Sequence, residues 1–250
     1  MEESMKILEL KNITKNFGAI HALQGVDLAI SPGEAVGLMG DNGAGKSTLM
    51  KIVAGNFSPS NGEIFIEGKK TFFSNPLDAR NHGIEIVYQD LALCDNLTAA
   101  ANVFLVRELM SGFGFFSRLK HSAMNDRAAE LFEELKSETR PKDLVEQMSG
   151  GQRQAVALAR TRLSNPKLVL LDEPTAAISV RQVAGVLARI KQLKETGHAV
   201  ILVSHRMPDV FAVCDRVVVL RRGKKIADKP ILKTSTEEVT GLITGAIETA

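Results

Sequence analysis

One short stretch, Gly40-Asp41-Asn42-Gly43-Ala44-Gly45-Lys46-Ser47, limits the folds open to this chain more than any other. It follows a short apolar run, Glu34-Ala35-Val36-Gly37-Leu38-Met39, and leads into Thr48-Leu49-Met50-Lys51-Ile52-Val53, whose apolar residues keep helical spacing until Gly55. Strand, glycine loop and helix in that order predict an α/β core whose loop binds phosphate. Gly40, Gly43 and Gly45 let backbone N–H groups approach phosphate oxygens with no Cβ in the way. Lys46 supplies a positive charge for the β- and γ-phosphates, and Ser47 offers a hydroxyl to Mg²⁺. ATP with Mg²⁺ is therefore the expected ligand.

The surrounding pattern supports such a core. Strand-like runs occupy residues 7–13, 21–30, 62–68 and 83–87, the second closed by Ser31-Pro32-Gly33. From about 98 to 159 the spacing turns helical, with helices expected over 102–110 and 125–136. Alternation then returns: strand 168–171, helix 180–196, strand 199–203, helix 207–213 and strand 216–220. After Leu232 only a short helix is expected. The spacing thus predicts a helical insert within an α/β nucleotide-binding core.

Composition excludes some functions. A net charge of +2 over 250 residues gives no reason to expect nucleic acid or a membrane surface as partner. Lys69-Lys70, Arg221-Arg222 and Lys224-Lys225 read as solvated strand ends. Cys94 and Cys214 lie far apart without metal-ligand spacing, as small apolar residues of a reduced, cytoplasmic protein. No apolar run is long enough to span a bilayer and no secretory leader opens the chain, so membrane work is expected to pass through a partner.

Further chemistry lies downstream. Asp172 ends the apolar run Leu168-Val169-Leu170-Leu171, where an ionised side chain is costly unless it serves a cation, here Mg²⁺ through water. Glu173, next in line, is placed to act as general base for the attacking water. Gln89 and His205 each follow a predicted strand, where open α/β sheets place ligand contacts. Gln89 suits Mg²⁺ or the lytic water, and His205 suits the γ-phosphate. His21, His82, His121 and His198 read as incidental surface residues. Phe17 either stacks on adenine or belongs to the core. Phe113-Gly114-Phe115-Phe116 reads first as packing within the helical insert and second as a patch for a partner.

A second turn, Ser149-Gly150-Gly151-Gln152, also presents a hydroxyl and bare N–H groups at the start of a helix. With one nucleotide pocket per chain already accounted for, this turn suits the nucleotide of a partner subunit.

Together these residues resemble the nucleotide-binding subunits of ATP-binding-cassette (ABC) transporters over about residues 7–232. The matching parts occur in family order: Phe17 (aromatic loop), Gly40 through Ser47 and Thr48 (Walker A), Gln89, Met148 to Gln152 (signature), Leu168 to Glu173 (Walker B) and His205. The resemblance implies a P-loop NTPase core with an N-terminal antiparallel β subdomain over 1–90 and 160–235, an inserted helical subdomain over 91–159, and a tail over 236–250. It also implies a head-to-tail dimer holding two ATP molecules, each between the Walker A loop of one subunit and Ser149, Gly150, Gly151 and Gln152 of the other. ATP binding would close the dimer and hydrolysis would reopen it. The chain departs from the family in two places: Met148 stands for Leu, and the stretch Ala176-Ala177-Ile178-Ser179 for Ser-Ala-Leu-Asp.

A finer resemblance, to bacterial importers of the ribose, xylose and fructose type, rests on three stretches: Tyr88-Gln89-Asp90-Leu91-Ala92-Leu93, Asn102-Val103-Phe104-Leu105 and Leu242-Ile243-Thr244-Gly245. It implies an ATPase that pairs with a second copy of itself at the cytoplasmic face of the membrane, peripheral to it and soluble when isolated. A permease would dock within residues 91–105, and an extracytoplasmic solute-binding protein would complete the system. The alternatives are an importer ATPase for another small solute, such as an amino acid, and a cytosolic cassette acting on nucleic acid or ribosomes. The near-neutral charge disfavours the last.

Overall fold

A computed structural model describes residues 5–88, 91–112, 117–176 and 180–247, with residues 180–182 described through their backbone alone. The described residues divide into two compact units.

The first unit comprises residues 5–86, 166–173 and 190–247. Its opening strands, β1 (Leu8–Phe17) and β2 (Ile20–Ile30), pair antiparallel. β1 also pairs with β4 (Asn61–Ile66), and β4 with β5 (Lys69–Thr71), which makes a four-stranded antiparallel sheet. Leu8, Leu10, Ile13, Val26, Leu28 and Ile30 are buried, while the residues between them are largely polar and more exposed, so one face of the hairpin lies on the core.

A second sheet has the order β12-β11-β3-β10-β9-β6. β3 (Ala35–Met39) lies between β10 (Ala199–Val203) and β11 (Arg216–Arg221) and runs parallel to both; β10 is also parallel to β9 (Leu168–Asp172). β3 and β10 are buried along their whole length, as expected of parallel strands covered on both faces. β6 (Ile84–Val87) and β12 (Lys224–Pro230) complete the sheet. The helices of this unit are α1 (Lys46–Val53), α2 (Pro76–Asn81), α7 (Met207–Val213) and α8 (Thr236–Thr244). Leu49, Met50, Ile52 and Val53 of α1 join Leu38, Leu170, Ile201 and the inner face of β1 in one apolar cluster. Gly37 permits a close approach: a Cβ there would lie 2.3 Å from Val210 Cγ1 of α7.

One reading of the sequence holds in this unit and one is corrected. The basic pairs at 221–225 are strand ends as expected, Arg221 closing β11 and Lys224 opening β12 around a hairpin turn, with Arg222 and Lys224 exposed. His198 is not a surface residue. It is only 8% exposed, and its ring Nδ1 lies 2.5 Å from the carbonyl oxygen of Pro166, remote in sequence.

The second unit holds the described residues between 87 and 165 and between 174 and 189. Helices α3 (Ala99–Val103), α4 (His121–Glu134) and α5 (Gly150–Arg162) pack on one another, burying Val103, Leu131, Phe132 and Val156. α6 (Val180–Glu195) begins in this unit and ends in the first. The helix expected over 102–110 is absent. α3 starts on Thr98, whose Oγ1 accepts the Ala101 N–H at 3.2 Å, and is capped at Phe104. Val106 then takes a left-handed φ of 65° and stands 79% exposed, so the apolar spacing beyond it buries no helix face. A two-stranded hairpin follows, β7 (Met110–Ser111) with β8 (Arg118–Leu119). The buried Asn102 shares its amide between Cys94 and Thr98, which holds the preceding loop.

Phe113 to Phe116, Gln89, Asp90 and Ala177 to Ser179 lie outside the described residues. Among those described, no helix is long and apolar enough to cross a membrane.

Candidate functional site

The glycine loop leaves β3 and enters α1 within the first unit. Gly45 takes φ 105°, and a Cβ there would lie 2.8 Å from both the Ala22 carbonyl oxygen and Leu23 Cδ2. Only glycine fits, because both the backbone conformation and the space demand it. Gly43, at φ 78°, has nothing within 4 Å of its missing Cβ and faces open space. No side chain caps the N-terminus of α1, so its first N–H groups stay available to an anion. Lys46 donates from Nζ to the Gly40 and Asp41 carbonyl oxygens at 2.7 and 2.9 Å. Burial lowers its pKa, while the charges of Glu173, Asp41 and Asp172 pull it up. Ser47 is exposed, and its hydroxyl makes no hydrogen bond among the described residues.

This loop lines a cleft of about 540 Å³. Phe17 lines it too, 42% exposed and edge-on to Phe57 at 5.5 Å, so the core alternative for Phe17 is set aside. His21, Gln24 and Arg222 share the lining, and the sequence reading missed all three. His21 is exposed, as expected, and its ring Nδ1 lies 2.8 Å from Asn16 Oδ1. No periodicity marks these residues. Their one sequence signal is the Arg222-Gly223 turn after an apolar strand.

Three predicted residues meet at the ends of β9 and β10. Asp172 is paired in register with Val203, and the Glu173 N–H donates to the Val203 carbonyl oxygen at 2.9 Å. Burial raises the Asp172 pKa first and neighbouring Glu173 adds to it, while Lys46 and Lys51 oppose the rise. Glu173 adopts φ 51°, a conformation that costs a non-glycine residue and aims its side chain off the strand line. Its Oε2 is buried and takes no aligned hydrogen bond, although His205 Nδ1 approaches to 2.8 Å. The pair is a close contact between a buried carboxylate and a ring that is itself 67% exposed.

The second turn opens α5 in the other unit. Ser149 Oγ accepts the Gln152 N–H at 3.4 Å, and the Ser149 N–H donates to Gln152 Oε1 at 3.0 Å, a reciprocal capping box. Gly150 and Gly151 are helical, without positive φ. Met148 is 9% exposed and fills the apolar position before the turn. Of the remaining expected groups, Gln89 lies outside the described residues. Cys214 is buried, its thiol pushed up to about 12 by burial, consistent with an inert apolar role.

The chain as a whole resembles known proteins. The family model described as ABC transporter matches residues 23–176. The chain is 44% identical over 241 residues to the xylose/arabinose import ATP-binding protein XylG of Sulfolobus acidocaldarius, covering 95% of this chain and 94% of that protein. It is 41% identical over 239 residues to the ribose import ATP-binding protein RbsA of Yersinia pestis, covering 96% of this chain but 46% of that one, so it spans about half that relative's length. Among solved structures it is similar to a nucleotide-free ATP-binding cassette from an ABC transporter, with TM-score 0.82 and 25% identity over 96% of each chain. It is also similar to a dimeric cassette in a post-hydrolysis state bound to ADP and Pi, with TM-score 0.73 and 30% identity over 90% of this chain and 98% of that one.

Proposed function

Since the chain belongs to the ABC transporter family, we propose that it is the ATPase subunit that powers import of a sugar. Its relatives named for xylose/arabinose and ribose import support the sugar. In this reading it pairs head to tail with a second copy, works peripherally on membrane permease subunits, and serves a pathway fed by an extracytoplasmic solute-binding protein.

The observation that carries the hydrolytic role is Glu173, a buried carboxylate oxygen without a hydrogen bond beside His205 in the unit that holds the glycine loop. Residues 40–48 bind the phosphates and Phe17 packs on the base. Glu173 accepts a proton from water as its oxygen bonds to the γ-phosphorus. The bond to the bridging oxygen breaks, leaving ADP and inorganic phosphate. His205 hydrogen-bonds the γ-phosphate. Gln89 senses the lytic water or the metal. Ser47 and Asp172 suit Mg²⁺, being oxygen donors with no other hydrogen bond among the described residues. When bound, Mg²⁺ offsets charge on the β- and γ-phosphates. Ser149, Gly150, Gly151 and Gln152, carried by the helical subdomain, complete the site of the partner subunit.

Glu173→Gln tests this reading. Steady-state hydrolysis falls by about 100-fold or more, the scale of a lost general base, and an ATP-bound dimer accumulates on size-exclusion chromatography. Unchanged turnover would sink the assignment. Uptake of labelled sugars in a strain lacking this chain identifies the cargo.

A further inference from the structure

The turn Arg221-Arg222-Gly223-Lys224 is fastened to the nucleotide cleft. Gly223 N–H donates to the Ala44 carbonyl oxygen inside the glycine loop at 3.0 Å. Gln24 N–H donates to the Gly223 carbonyl oxygen at 2.8 Å, and Gln24 Nε2 to that of Arg222 at 2.9 Å. The fit admits no Cβ on Gly223, which would lie 2.8 Å from the Ala22 carbonyl oxygen at φ 77°. Arg222 itself is held at φ 50°.

So held, Arg222 lines the cleft of about 540 Å³ together with Lys46, and no carboxylate among the described residues shares that lining. Its guanidinium makes no hydrogen bond or ion pair among the described residues. A neighbouring groove of about 430 Å³ shares Gln24 and Arg222, adds Arg221 and Lys224, and likewise has no carboxylate among the described residues that line it. The positive potential therefore extends from the glycine loop along this wall. A guanidinium stays charged at every physiological pH and suits phosphate oxygens geometrically.

We propose that Arg222 is a nucleotide-binding residue that contacts the phosphate chain of ATP and ADP from the β11–β12 turn. The phosphates are the anionic part of that ligand, and the turn is bonded to the loop that receives them. This rests on the reading of the cleft as the ATP site.

The test is calorimetric titration of the whole chain with ADP and, separately, with adenosine. Arg222→Asn removes the charge while keeping a residue that tolerates positive φ. Arg222→Lys keeps the charge and Arg222→Glu reverses it. Thermal unfolding confirms that each variant is folded. ADP affinity falls about three- to tenfold in Arg222→Asn, further in Arg222→Glu and less in Arg222→Lys. Adenosine binding is unchanged, and the gap between parent and Arg222→Asn narrows as salt rises. If the parent binds ADP and the Asn and Glu variants bind it equally well, the proposal fails while the ATP site stands. An equal loss for adenosine would overturn the phosphate contact. A parent chain that binds no ADP would remove both readings.

Discussion

The two glycine-bearing turns of this chain look interchangeable in sequence and are built on opposite principles. In the loop at residues 40–47, glycine is demanded by the fold itself: Gly45 sits at φ 105° with two atoms within 2.8 Å of where a Cβ would go. In the turn at 149–152 the backbone conformation makes no such demand. Gly150 and Gly151 are helical, a conformation in which glycine is a cost relative to alanine. Glycine kept where the backbone does not need it points outward, to something that must come close to bare N–H groups. Ser149 tells the same story. Its Oγ accepts the Gln152 N–H, which occupies a lone pair and leaves the hydroxyl proton free to donate. Capping the helix and serving a phosphate are compatible in one residue.

Substitutions separate these principles, and the largest effect is expected at Gly45. Gly45→Ala loses measurable ADP binding in the isolated chain and unfolds earlier, with about 1–3 kcal/mol lost to backbone conformation alone. Titration and a melting curve check both. A variant that binds ADP normally would mean that the loop is not committed to this geometry.

Ser149→Arg acts in the opposite way. In the proposed reading, where the turn serves the partner's nucleotide, the isolated chain keeps its ADP affinity within about twofold. Steady-state hydrolysis drops by about 100-fold, the scale of a lost transition-state contact. A matching loss of ADP affinity would refute the division of labour.

A pH series sharpens the contrast further. The first region carries desolvated charge and the second turn carries no ionisable side chain. The folded chain holds the Asp172 proton more tightly than the unfolded chain does. That residue therefore favours folding only at acidic pH, and the contribution is lost as pH rises through its raised folded pKa. Asp172→Asn should raise Tm at about pH 8, by an amount that shrinks toward about pH 3, while abolishing Mg²⁺-dependent hydrolysis. A gain independent of pH would assign the effect to packing instead.

The smallest shift is expected at Gly151. Gly151→Ala raises stability by a few tenths to about 1 kcal/mol through helix propensity, yet slows hydrolysis. Loss of stability there would show a hidden steric demand.

Legibility followed the same divide. The glycine loop, Asp172 and Glu173 could be read from the chain because backbone conformation and buried charge both restrict residue type. The β12 strand could not, since it joins the sheet through main-chain bonds and buries only Ala227. The helix expected over 102–110 failed because spacing records apolar positions and not the left-handed turn at Val106. His198 was misjudged because its partner, the Pro166 carbonyl, is close only after β9 and β10 have paired.

That pairing has a wider consequence. Asp172 opposes Val203, the Glu173 N–H is bonded to Val203, and His205 follows two residues on. One interstrand alignment therefore sets the relative positions of all three groups. Conservative swaps among Leu170, Leu171, Ile201 and Leu202, all buried within the sheet, can then behave in an assay as active-site lesions. A screen that spares such positions as mere filling would overlook part of the catalytic apparatus.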